Sequence, residues 1–68
     1  MASYYVNQNA QTNGDHEVHQ SNCTYLPLAH NRTYLGDFQT CAEAVRAARA
    51  YYTKVNGCWY CSPACHTS

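Results

Sequence analysis

The sequence is short of the large aliphatic residues that usually build a hydrophobic core. It has no isoleucine, three leucines, four valines, one phenylalanine and one methionine among 68 residues. A chain of this length forms one domain, and a core of this size is marginal without disulfides, a metal ion or a partner chain. The sequence therefore predicts a single domain over residues 1–68 that needs an additional stabilising element.

Charge is scarce as well, and long apolar runs are absent. Four basic and four acidic side chains give a net charge of zero. Clustered Lys and Arg are needed to bind nucleic acid or anionic membranes, so the composition argues against both partners and leaves a protein partner open. Residues 1–9 lack the basic region and apolar run of a signal peptide, and no stretch approaches a transmembrane length.

These absences predict a cytoplasmic protein, in which cysteine thiols stay reduced. The alternative is a secreted fragment of a longer precursor, whose five cysteines would leave one unpaired.

The polar and apolar residues predict a small α+β domain with two or three short antiparallel strands. Residues 4–6 and 15–19 have strand character on either side of a turn at Asn13-Gly14, so they predict a hairpin. Residues 33–38 predict a further strand, in which Gly36 is a weak point or a bulge.

One amphipathic helix is the clearest element. Thr40 and Glu43 have the spacing of a capping box, which marks a helix N-terminus. Apolar residues then recur at helical spacing, so the pattern predicts a helix from about Cys41 to about Thr53. The Asn56-Gly57 pair suits the end of this segment.

Cysteine and histidine are abundant by contrast, and four of them form two closely spaced pairs. Cys58 and Cys61 are separated by two residues, and His19 and Cys23 by three. Tetrahedral zinc is commonly held by such pairs on two separate loops. The spacing predicts one zinc ion bound by His19, Cys23, Cys58 and Cys61.

Other interpretations of the Cys-x2-Cys pair carry less weight. A redox-active pair at Cys58 and Cys61 is the alternative function, but a thioredoxin-like motif requires a βαβ context that the chain is too short to supply. An iron–sulfur cluster would leave the pair at His19 and Cys23 unexplained. The segment from His16 to His19 resembles a zincin motif, yet its histidines are three apart in a strand pattern and face opposite sides.

The remaining cysteines are assigned by their surroundings. Cys41 follows the helix cap on the apolar face, which predicts a buried free thiol. Cys65 is the main competitor for a metal-ligand position, together with His66. On oxidation, Cys65 could also form a disulfide with Cys58 or with Cys61.

Two family resemblances accompany these motifs. The segments DHEVHQSNC, YLGDFQTCAEAVRAA and NGCWYCSPACH resemble a family of short, uncharacterised bacterial proteins, which implies a small α+β domain without an assigned activity. The order of the ligand pairs around a helix is similar to the Ada-type zinc-binding module, whose first pair would match His19 and Cys23 and whose second would match Cys58 and Cys61. That module's DNA-repair chemistry needs a basic surface, which four basic residues do not provide.

The expected function follows from a closed site. Four protein ligands leave no open position for water, so the zinc is expected to be structural and the chain is not expected to be an enzyme. We therefore expect a small binding or interaction module, in which Trp59 and some of the tyrosines form a contact surface.

Overall fold

The computed structural model describes residues 1–67, which form four strands and one α-helix. The elements in chain order are strand β1 (Ala2–Asn7), strand β2 (His16–Gln20), strand β3 (Arg32–Phe38), helix α1 (Cys41–Ala48) and strand β4 (Val55–Gly57). Short 3-10 turns cover Ala29–Asn31 and Pro63–Cys65.

The four strands form one mixed sheet in the order β3-β1-β2-β4. Strand β1 pairs antiparallel with both β2 and β3, whereas β4 lies parallel to β2. This sheet and the single helix confirm the predicted α+β class. The sheet has one more strand than expected, because Val55–Gly57 is only three residues long and its Asn-Gly pair is equally typical of a helix end.

Gly36 lies at an irregularity in the pairing of β1 with β3. The register shifts between Tyr4 and Tyr5, opposite the part of β3 that contains Gly36. Gly36 has a φ angle of 134°, and a Cβ atom there would come within 3.3 Å of two atoms of the Phe38 ring. Both observations match the expected bulge, since glycine adopts a positive φ without steric cost.

Helix α1 begins as predicted and ends earlier. Thr40 Oγ1 accepts a hydrogen bond from the Glu43 backbone N–H, and Glu43 Oε1 accepts one from the Thr40 N–H, which completes the capping box. The helix ends at Ala48 rather than near Thr53, because hydrogen bonds three residues apart tighten the chain beyond it. No helix within residues 1–67 combines the length and apolar character needed to cross a bilayer.

The hydrophobic core is small and lies between the helix and the sheet. Its buried members are Tyr4, Val6, Val18, Ala44, Val45 and Ala48. Two of the six are alanines, which bury little apolar surface, so the contribution of hydrophobic burial is modest. The core therefore agrees with the expectation that this fold requires further cross-linking.

A disulfide between Cys41 and Cys65 supplies one cross-link and corrects two predictions. Cys41 is not a buried free thiol, and Cys65 pairs neither with Cys58 nor with Cys61. The bond joins the first residue of α1 to the Pro63–Cys65 turn, across a sequence separation of 24 residues. Closing a loop of this length stabilises a fold by about 3.5 kcal/mol in the chain-entropy estimate.

Candidate metal centre

Four side chains from two distant parts of the chain converge at one point. His19, Cys23, Cys58 and Cys61 each offer one ligand atom, and these atoms all lie within 4.8 Å of one another. The first three residues are buried and Cys61 is partly buried. This group, called the Cys/His cluster below, could hold a metal ion.

The parallel pairing of β2 and β4 brings the two halves of the cluster together. His19 lies on β2, and Cys58 directly follows β4, where its backbone N–H donates to the Val18 carbonyl at 2.9 Å. Because both strands run in the same direction, the loops that follow them emerge at the same edge of the sheet. The Cys23 N–H donates to the Gln20 carbonyl at 3.0 Å and fixes a tight turn after β2.

Close packing around Gly57 fixes the loop that carries Cys58 and Cys61. A Cβ atom at Gly57 would lie 2.6 Å from the Cβ atom of Cys65 and 2.9 Å from the carbonyl oxygen of Ser62. The Ser62 N–H donates to the Cys58 carbonyl at 2.9 Å and closes this loop. Position 57 therefore has to be glycine for steric reasons, even though its φ angle is ordinary.

Two of the distances between ligand atoms agree with the edges of a tetrahedron. The Sγ atoms of Cys23 and Cys58 are 3.9 Å apart, and His19 Nδ1 lies 3.6 Å from Cys23 Sγ. Metal bonds of the lengths found at zinc give tetrahedral edges of about 3.8 Å between two sulfurs and about 3.6 Å between sulfur and nitrogen. These two distances fit a four-coordinate ion, and the ligand atoms of the whole cluster lie within 4.8 Å of one another.

Hydrogen-bond donors surround two of the sulfur atoms. The Gln20 N–H points to Cys61 Sγ at 3.3 Å, and the Tyr60 N–H points to Cys58 Sγ at 3.4 Å. Donors to sulfur favour the thiolate over the thiol, because they stabilise negative charge. The backbone of both loops therefore places N–H donors against two of the candidate ligand sulfurs.

Glu17 lies against the Cys/His cluster and was not identified from the sequence. It lies two residues before His19 on β2, so both side chains project from the same face of the strand. Glu17 Oε1 is 3.4 Å from His19 Nε2, a buried nitrogen that forms no hydrogen bond within residues 1–67. A carboxylate behind the second ring nitrogen is the usual way in which proteins orient a metal-binding histidine. The alternation of β2 was the signal that could have identified it.

Burial shifts the pKa values of three side chains in the cluster toward their neutral forms. Burial raises the pKa of Cys23 to about 12 and also raises the pKa of Cys58, whereas burial lowers the pKa of His19. Neutral imidazole is the form that binds metals, so His19 is already in its ligand state near neutral pH. The thiols of Cys23 and Cys58 need a cation beside them to ionise in this environment.

The other histidines and cysteines lie outside the cluster. The ring of His16 stacks on Tyr52 with centroids 3.7 Å apart, and its Nδ1 is hydrogen-bonded to the Asn7 carbonyl at 2.9 Å. His66 Nδ1 is hydrogen-bonded to the Gly57 carbonyl at 3.0 Å. Cys65 is held in the disulfide, so it does not replace a member of the cluster.

Comparisons of the chain with family models, curated proteins and solved structures find no match. The two resemblances inferred from the sequence motifs therefore stay predictions. The fold and the cluster together define a small α+β domain with a Cys/His group that could hold a metal ion.

Proposed function

We propose that this chain is a non-enzymatic binding module whose fold depends on one structural zinc ion in the Cys/His cluster. The observation that carries the proposal is the convergence of three thiols and one imidazole within 4.8 Å, from two distant parts of a chain with a small core. A set of three sulfurs and one nitrogen this close together favours zinc among the common divalent ions.

A structural role is favoured over a catalytic one by the number of ligands. Catalytic zinc keeps one coordination position open for water or substrate, whereas four protein ligands close the site. His19 and Cys58 are each only 1% exposed, so a substrate has little access to the ion from their side. The proposed role of the metal is to supply folding free energy that the hydrophobic core lacks.

The alternative of a redox-active cysteine pair is weakened by the burial of Cys58. A catalytic cysteine pair requires one accessible, readily ionised thiol. Cys58 is buried and its pKa is raised by burial, and its Sγ atom faces Cys23 at 3.9 Å. These features favour a masked ligand thiol over a thiol that exchanges with other proteins.

Elemental analysis of protein purified without added metal tests the proposal. We expect one zinc per chain, and we expect Cys58→Ser to lower this content while His16→Gln, which alters a histidine outside the cluster, leaves it unchanged. A wild-type protein that contains no zinc and does not take it up from buffer would overturn the proposal. Equal zinc content in Cys58→Ser and wild type would show that the ligands are elsewhere.

A further inference from the structure

Three exposed aromatic rings lie together beside the Cys/His cluster. Tyr25, Trp59 and Tyr60 are 53%, 56% and 54% exposed, although large aromatic side chains are usually well covered in folded proteins. Their ring centroids are 5.4 to 5.7 Å apart, and Tyr60 stands nearly perpendicular to both of the other rings. We call these three residues the aromatic patch.

The loops of the cluster hold the aromatic patch in place. Trp59 and Tyr60 are the two residues between Cys58 and Cys61, and Tyr25 follows Cys23 by two positions. A metal ion that joins these loops also joins the three rings, so the geometry of the patch rests on the proposed function. Rings that are ordered before binding lose less conformational entropy when a partner arrives.

The chemistry of the aromatic patch is uncharged and rich in hydrogen-bond donors. It offers one indole N–H and two phenol O–H groups, and none of these has a hydrogen-bond partner within residues 1–67. Arg32 stacks on a different ring, since its Cζ atom lies 4.7 Å from the centroid of Tyr5, and it is not part of the patch. A ligand for this surface should therefore be uncharged, with apolar groups that pack on the rings and hydrogen-bond acceptors for their N–H and O–H groups.

The area of the aromatic patch sets the size of the partner. Rings of this type present about 150–250 Å² each, so three rings at roughly half exposure offer on the order of 250–400 Å². A stable protein dimer buries about 800 Å² on each side. The patch alone is too small for a second copy of this chain and is suited to a short extended segment.

We propose that the aromatic patch binds proline-rich segments in the polyproline II conformation. Such a segment has no internal hydrogen bonds, so its carbonyls are free to accept from the indole and phenol groups. Proline lacks an N–H donor and carries an apolar ring that packs against aromatic faces. Single-stranded nucleic acid also stacks on aromatic rings, but it requires cations for its phosphates, which this surface does not contribute.

Fluorescence of Trp59, the one tryptophan in the chain, measures this binding directly. The zinc-loaded protein is titrated with a decaproline peptide with blocked ends, and with a Gly-Ser peptide of equal length as the control. We expect a saturable shift of the emission maximum to shorter wavelength with decaproline alone, because the peptide removes water from the indole.

Two variants connect the binding to the aromatic patch. We expect Tyr60→Ala and Tyr25→Ala to weaken binding of decaproline by about tenfold or more, as for aromatic anchors in other interfaces. Tyr51→Ala is the matched control, since Tyr51 is 57% exposed but lies in the turn three residues beyond the end of α1. Zinc content measured on the same samples should remain one per chain in all three variants.

Several results would overturn the proposal. One is the absence of saturable binding with decaproline at up to about 1 mM, where even a weak complex forms. A second is equal affinity of Tyr60→Ala and wild type. A third is self-association that Tyr60→Ala abolishes, and a fourth is preferential binding of a thymidine oligonucleotide. A purified wild type that contains no zinc would refute the structural metal site. A wild type that contains zinc but does not bind decaproline would refute only the docking surface.

Discussion

An established cross-link and a proposed one, of different chemistry, meet in the last quarter of the chain. The Cys41–Cys65 disulfide ties helix α1 to the Pro63–Cys65 turn, and a metal ion in the Cys/His cluster would tie the β2 edge to the loop from Cys58 to Cys61. The disulfide is covalent and does not depend on protonation. The cluster is assembled from groups that bind protons, and it requires a cation if its buried thiols are to ionise.

This difference separates two sources of stability. A disulfide acts chiefly by restricting the unfolded chain, so its contribution is limited by loop length. A metal site acts in the folded state, where its binding free energy becomes folding free energy. With a core of six buried hydrophobic residues, we expect the cluster to decide whether the domain folds and the disulfide to adjust how stable it is.

The largest effect should come from removing one member of the cluster. We expect Cys23→Ser to lose the metal and most ordered structure, because structural zinc commonly contributes about 10 kcal/mol or more. Far-ultraviolet circular dichroism and metal content report both losses, and a strong chelator added to the wild type should reproduce them. A folded, zinc-loaded Cys23→Ser protein would remove Cys23 from the ligand set.

Acid should break the cluster while leaving the disulfide intact. The pKa of His19 is already lowered by burial, so its contribution to stability is present above its ordinary pKa of about 6.5 and is lost as pH falls through the folded-state pKa. Metal-bound thiolates have lowered folded-state pKa values as well, and they act in the same direction. The midpoint temperature of thermal unfolding of the zinc-loaded protein should therefore fall as the pH is lowered below about 6.5.

The small fraction of metal-free protein that stays folded should respond to pH with the opposite sign. Without a cation, burial raises the pKa of the Cys23 thiol from 9.0 to about 12. That contribution is present below the ordinary pKa and is lost as pH rises through the folded-state value. Bound zinc should prevent this loss of folding stability at alkaline pH. Identical pH profiles with and without zinc would contradict a metal-thiolate site.

Removal of the disulfide should cost less than removal of the metal. We expect the double variant Cys41→Ser, Cys65→Ser to be destabilised by about 3.5 kcal/mol and to keep one zinc per chain. Urea unfolding of zinc-loaded wild type and variant measures the difference in free energy of unfolding. Loss of zinc in the double variant would show that the two cross-links are not separable, because the Pro63–Cys65 turn would then be needed to position the Cys58–Cys61 loop.

The two cross-links also differ in how far they can be predicted from the sequence. The spacing of His19 with Cys23 and of Cys58 with Cys61 identifies the cluster, because each half is local in the chain. The partner of Cys41 is not local, since it depends on how the Pro63–Cys65 turn packs against the helix. Strand β4 was missed for a similar reason, because its three residues gain strand character only by pairing with β2.

The smallest of these effects should come from Glu17, which contacts the cluster without belonging to it. We expect Glu17→Gln to weaken zinc affinity by about 10- to 100-fold, as carboxylates behind metal-binding histidines generally do when neutralised. The amide keeps an oxygen near His19 Nε2 but lacks the negative charge that raises the basicity of the imidazole. Competition with a chromophoric chelator measures the affinity of wild type and variant at neutral pH.

Asp15→Asn is the matched control for this measurement. It removes one negative charge from the residue just before β2, where the Asp15 carboxylate accepts a hydrogen bond from Asn13 Nδ2 and has no contact with the cluster. If the two variants lower zinc affinity equally, the effect is one of net charge and Glu17 has no positioning role. If Glu17→Gln alone lowers it, the carboxylate acts through His19. The cluster then differs from the disulfide in one further respect, because its affinity for zinc depends on Glu17, a residue outside the ligand set.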